Sequence, residues 1–239
     1  MKKKSGIVFV VIVSFIMVVT AISFSAQAEE PAKPEKLTID PAKTAFLLLH
    51  WQNDLANPKG KFSGKLPELI AAAHNIENTQ AALKASRDNK VFVIYVIASH
   101  RPGYPELPPD VSGIAAHAKK AQAFLRGSWG AEIIDQLKPL ELEPVVFNYS
   151  PGGFAYDDLD LLLRNRGIKN LVLTGLVTNF VVESTTREAF NRCYNVCILE
   201  DCCNSFSPEM HNWAIKNILP GFATISNSKA YIEALGVSK

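Results

Sequence analysis

The chain has no surplus of either charge. Its 25 Lys and Arg face 23 Asp and Glu, and three of the basic residues, Lys2, Lys3 and Lys4, sit in an N-terminal leader. Without those three, 22 basic residues face 23 acidic ones, a net charge of −1. A near-neutral domain has little electrostatic attraction for a phosphate backbone or an anionic bilayer, so nucleic acid and membrane surfaces are not expected partners. The chain also lacks a Gly-x-Ser-x-Gly segment, which removes the usual serine nucleophile elbow. Cysteine is confined to one short segment, Cys193, Cys197, Cys202 and Cys203. It has no paired Cys-x-x-Cys units and no adjacent histidine, so a structural zinc site is not indicated. An oxidising compartment would permit a disulfide among the four, and packing of small residues around a strand accounts for them equally well. Neither internal repeats nor low-complexity tracts occur outside the leader, which argues against a solenoid.

What is present begins with that leader. Three lysines precede an apolar run from Ile7 to Ile22, and Ala26-Gln27-Ala28 supplies a small-x-small cleavage signature. This reads as a secretory signal peptide over 1–28, giving an exported protein, periplasmic or secreted; an uncleaved membrane anchor is the alternative. After cleavage no membrane association is expected. Residues 29–43, with three prolines and many charges, read as an exposed arm. Residues 44–239 are long enough for one α/β domain.

Apolar runs at Thr44 to Leu49, Val91 to Ala98, Val145 to Phe147, Asn170 to Thr174, Val196 to Leu199 and Phe222 to Ser226 predict six strands. Helical spacing is predicted over Leu66 to Asp88, Ala115 to Leu125, Asp157 to Arg166 with Gly167 as its stop, the run ending near Arg192, and Pro208 to Asn217. Alternating strands and helices point to a parallel sheet covered on both faces, with ligands held beyond the carboxyl ends of the strands.

Several motifs agree in order and spacing with one family. Gln52-Asn53-Asp54 matches the end of an Asp-x-Gln-Asn-Asp opening, and Thr174-Gly175-Leu176-Val177-Thr178-Asn179-Phe180-Val181-Val182-Glu183-Ser184-Thr185 resembles Thr-Gly-Val-x-Thr-Asn-x-Cys-Val-Glu-Ser-Thr. Asp201-Cys202-Cys203 and Glu209 with His211 resemble its closing region. On these residues the chain is identified as resembling the isochorismatase-like hydrolase, or cysteine hydrolase, superfamily. The resemblance implies a three-layer α/β/α fold with a six-stranded parallel sheet in Rossmann-like order, and a cis peptide at Leu176-Val177. It also implies assembly into homo-oligomers.

The same comparison shows what is missing. The family's aspartate base falls at His50, its lysine at Asn148 and its cysteine nucleophile at Val181. Valine has no lone pair to attack with, so thiolate chemistry from that position is excluded. His50 has a residue type able to move a proton near neutral pH, and it also reads as a pocket-lining group that bonds a loop. Trp51, Gln52, His100, Tyr149, Leu176, Val177, Thr178 and Phe180 are the candidate ligand-contacting residues. The aromatics among them, with Tyr104, read equally as core. His50 and His100 offer two metal ligands without a third, so no metal and no cofactor are expected. His74 and His117 read as surface residues and His211 as structural. A displaced thiol at Cys202 or Cys203 has no base beside it.

Two functions lead, with a purely structural role through oligomerisation as a third. One is an exported, catalytically degenerate protein that binds a small molecule. The other is a hydrolase of altered mechanism, acting on a small amide, imide or vinyl ether as substrate with His50 as general acid or base.

Overall fold

The computed structural model describes residues 37–237; the leader and the first part of the arm lie outside them. Six strands form one parallel sheet: β1 (Thr44–Leu49), β2 (Phe92–Ala98), β3 (Val145–Asn148), β4 (Asn170–Leu176), β5 (Asn195–Asn204) and β6 (Thr224–Ser226). Their order is β3-β2-β1-β4-β5-β6, so the chain winds outward in both directions from β1. That reversal of direction lies between β1 and β4, the place where an open α/β sheet leaves a crevice. The architecture expected from the sequence, including its strand order, is the one found.

Eight α-helices are described: α1 (Asn53–Ala56), α2 (Leu66–Ala72), α3 (Asn75–Asp88), α4 (Gly113–Ala121), α5 (Leu159–Asn165), α6 (Glu183–Asn191), α7 (Pro208–Trp213) and α8 (Ser228–Val237). Side chains alternate across the sheet, as the two-residue period of a strand requires. Phe46 and Leu48 of β1 join a core with Leu83 of α3 and Tyr231, Ala234 and Leu235 of α8. Ala45, Leu47 and Leu49 join the opposite core with Leu159 and Leu163 of α5 and Ala189 of α6. No helix of the described residues is long and apolar enough to cross a membrane.

Several expectations are corrected. The helix expected over Leu66 to Asp88 breaks at His74, which takes a left-handed conformation with φ 53°. The break points Asn75 at β5, where its amide donates to the carbonyls of Asp201 and Cys203 at 2.9 and 3.2 Å. The helix expected to reach Leu125 ends at Ala121, because Gln122 turns left-handed and Phe124 is drawn inward. β5 runs past the expected Leu199, with a register shift against β4 between Leu173 and Gly175. Asp201 in that irregular stretch accepts hydrogen bonds from the Ser228 backbone and hydroxyl at 2.8 and 2.6 Å, fixing the start of α8. α8 is a helix beyond those expected, and Tyr231, Ala234 and Leu235 carry its helical spacing. The arm is not free over its last part, since Ile39 is buried in the core and Leu37 packs against it. All four cysteines are free thiols, so no disulfide forms among them.

Gly175 pairs with Leu49 of β1 and lies close against it. Its φ is +148°, and a Cβ there would overlap the backbone carbonyl oxygen and the Cβ of Leu49. Gly175→Ala is therefore expected to destabilise the fold by at least about 3 kcal/mol, combining backbone strain with overlap against backbone that cannot move aside. Urea denaturation measures this directly, and an unchanged midpoint would refute the account.

Candidate functional site

The edge strand β3 and the inner strands β2, β1 and β4 all end on the same side, and residues that follow them line one pocket of about 530 Å³, open mouth included. His50 leaves β1 with φ 52°, and its backbone N–H donates to the Val96 carbonyl at 2.8 Å. His100 leaves β2, Tyr149 follows β3, and Val177, Phe180 and Val181 follow β4. These six sequence-derived candidates do line the pocket.

The other candidates stand elsewhere. Gln52 is fully buried and holds two loops: its Nε2 donates to the carbonyls of Ala98 and Ala131 at 2.8 Å each, and its Oε1 accepts from the Ala98 N–H at 2.9 Å. Trp51 and Leu176 are core residues, fully buried. The Thr178 hydroxyl shares a 2.9 Å hydrogen bond with His211 Nδ1, so His211 ties α7 to the segment after β4. Tyr104 is core as well, its hydroxyl donating to the Ala123 carbonyl at 2.7 Å. Asn148 ends β3 without exposure; its Nδ2 donates to the Gly152 carbonyl at 3.0 Å and its Oδ1 has no hydrogen bond.

Sequence reasoning missed much of the apolar wall. Leu55, Phe62 and Phe124, with Ile114, Ala115 and Ala118 of α4, complete it. Phe62 and Phe124 meet edge to face, ring centroids 5.7 Å apart. They lie far apart in the chain and outside regular elements, so no periodic signal marks them. Asp54 brings them in: its two carboxylate oxygens accept from the N–H groups of Lys61 at 2.9 Å and Phe124 at 2.6 Å.

The electrostatics follow from burial. His50 is 4% exposed, and desolvation pushes its imidazole down to about 4; the Asn148 amide partly opposes this and nearby His100 adds to it. His50 Nε2 nonetheless lacks a partner of good hydrogen-bond geometry. Burial also lowers His100, against the pull of the Glu106 carboxylate, whose Oε2 is 3.9 Å from His100 Nδ1. At neutral pH only about one His50 in a thousand carries a proton. Such a group is a poor proton donor, and a base this weak activates water poorly.

The remaining nucleophile candidates are closed off. Burial raises the thiols of Cys197, to about 12, and of Cys202 and Cys203 further still, so no thiolate is available there. The Val181 side chain faces the pocket with no reactive atom. Its N–H donates to the Val177 carbonyl at 2.8 Å, which also accepts from Phe180 at 3.1 Å, in a wide π-helical turn over Thr178–Val182 that precedes α6. The wall carrying Tyr149 is pinned to α6, because the N–H groups of Gly153 and Phe154 donate to Thr185 Oγ1 and Glu188 Oε2 at 3.0 Å each. Among the described residues no cluster of three or more metal-ligating side chains exists.

The family model for the isochorismatase domain matches residues 44–230. The chain is similar to a ureidoacrylate amidohydrolase, RutB, of Methylobacterium radiotolerans, with 32% identity over 219 residues, 87% of this chain and 85% of that protein. A solved structure of a cysteine hydrolase from Pseudomonas syringae pv. phaseolicola superposes with a TM-score of 0.77 at 23% identity, covering 87% of this chain and 100% of the other. An N-carbamoylsarcosine amidase from Thermoplasma acidophilum shares the fold at a TM-score of 0.63 and 24% identity, covering 78% of this chain and 96% of the other.

The depressed His50 has a consequence for stability. Its folded value of about 4 lies below the ordinary 6.5, so between those values the unfolded chain takes up the proton first. Stability is then present above about 6.5 and is lost as pH falls toward 4, by up to about 3 kcal/mol from this group. His100 and His211, both lowered by burial, act in the same direction. Urea denaturation across that window should show His50→Gln reducing the pH slope by up to one proton; an unchanged slope would contradict the burial account.

Proposed function

Because this chain belongs to the isochorismatase-like cysteine hydrolase superfamily, we propose that it keeps the family's pocket and has given up the family's hydrolysis, acting as a small-molecule-binding protein. The observation that carries this reading is the chemistry of one pocket: aliphatic Val181 on its wall, beside an imidazole that burial holds neutral with uncharged Asn148 next to it. An amide carbonyl bound there meets no nucleophile, and no cation is available to lower the pKa of one.

The RutB relative is named as an amidohydrolase of ureidoacrylate, which makes amides and ureido compounds the fair test of lost activity. The native chain is expected to give no turnover above background on ureidoacrylate and a panel of small amides. Restoring the family residues together, His50→Asp, Asn148→Lys and Val181→Cys, is expected to raise turnover at least about a hundredfold over the native chain. Turnover by the native chain that disappears in His50→Ala would replace this reading with a hydrolase using imidazole as its base.

We further propose that the protein acts outside the inner membrane, on the strength of Lys2 to Lys4, the apolar run and Ala26-Gln27-Ala28. Protein recovered from the periplasm or medium is expected to begin at Glu29 by intact mass; an unprocessed chain confined to the cytoplasm would refute export.

A further inference from the structure

We propose that the occupant of this pocket is an uncharged aromatic ring carrying one hydroxyl, a ligand of the phenol class. This rests on the reading of the pocket as a binding site and goes beyond it by naming the ligand's charge and polar group.

The charge follows from what the pocket lacks and where nearby charges are spent. Its lining contains no Lys, Arg, Asp or Glu. Two nearby arginines lie outside that lining. Arg101 Nη1 lies 2.6 Å from Glu106 Oε1, and Arg126 donates to Ser99 Oγ at 3.1 Å and to the Tyr149 hydroxyl at 3.0 Å. Position 148, where the family's pattern has a lysine, holds a neutral amide. A carboxylate or an ammonium entering this pocket would lose its hydration without meeting an opposite charge on the lining.

The shape and polar end follow from the walls. Phe62, Phe124 and Phe180, with Leu55, Val177 and Val181, surround the space with hydrocarbon and ring faces. Flat rings pack well against such surfaces. His50 stands on the lining, 96% buried, its Nε2 without a partner of good hydrogen-bond geometry and the neighbouring Asn148 Oδ1 likewise unsatisfied. A neutral imidazole has one donor and one acceptor nitrogen, and a hydroxyl can serve either.

The test uses phenol, benzoate and benzylamine as probes of matched ring size and opposite charge. Binding to the purified native protein at pH 7 is read by ligand-observed NMR titration. Phenol is expected to bind at least tenfold more tightly than either charged probe. In Asn148→Lys, the ratio of phenol to benzoate affinity is expected to fall tenfold or more. If that variant does not fold, the native ranking decides by itself. Benzoate or benzylamine binding as tightly as phenol would overturn the proposal and leave the small-molecule reading standing. Failure of all three to bind would overturn both.

Discussion

Three hydrogen bonds from one buried carboxamide hold the pocket open. Gln52 joins the end of β1 to the end of β2 and to the 129–131 turn, with both of its amide atoms used. Two residues on, buried Asp54 gathers the Lys61 and Phe124 N–H groups, which places two of the three phenylalanines on the wall. Asn53 completes the set by donating to the Trp129 carbonyl at 2.9 Å. Each bond satisfies a backbone group that would otherwise be buried without a partner. The retained half of the family's opening motif is thus architecture. The half that is replaced, at His50, lines the pocket.

That division explains how the site could change character without loss of the fold. A charged triad needs each member to stabilise the others, and removing one leaves a buried charge exposed to desolvation. Here all three positions are neutral at physiological pH: a valine, an amide and an imidazole that burial strips of its proton. The pocket is electrostatically consistent as an apolar cavity in a way that a partial triad would not be. The wall that carries Tyr149 is fastened to α6 through Thr185 and Glu188, so it is held in place independently of those three positions.

The fold was largely legible because its signals are local and repeated. Apolar runs of strand length, separated by helical spacing, give a parallel sheet almost by necessity. The errors fall where tertiary contacts overrule local preference. His74 interrupts a helix whose spacing continues through it, and Asn75 then bonds carbonyls of β5. α8 follows a short edge strand and owes its anchoring to Asp201, remote in sequence, and to Tyr231, which stacks on Phe46 with ring centroids 5.7 Å apart. The site was legible in part for the same reason. Residues at strand ends, such as His50, His100 and Tyr149, can be placed by counting along a strand, whereas Phe62 and Phe124 sit in loops with no period to count.

The sequence by itself determined the layered parallel sheet, the family, and the absence of a thiol at the nucleophile position, since these depend on residue type and order alone. Only the tertiary structure decided that His50 is neutral, that Gln52 and Thr178 serve the scaffold, and that the pocket is walled by phenylalanine with no free charge. The reason is physical: a proton's affinity and a side chain's partners depend on what surrounds the group in space, and those surroundings come from segments the chain order does not place side by side.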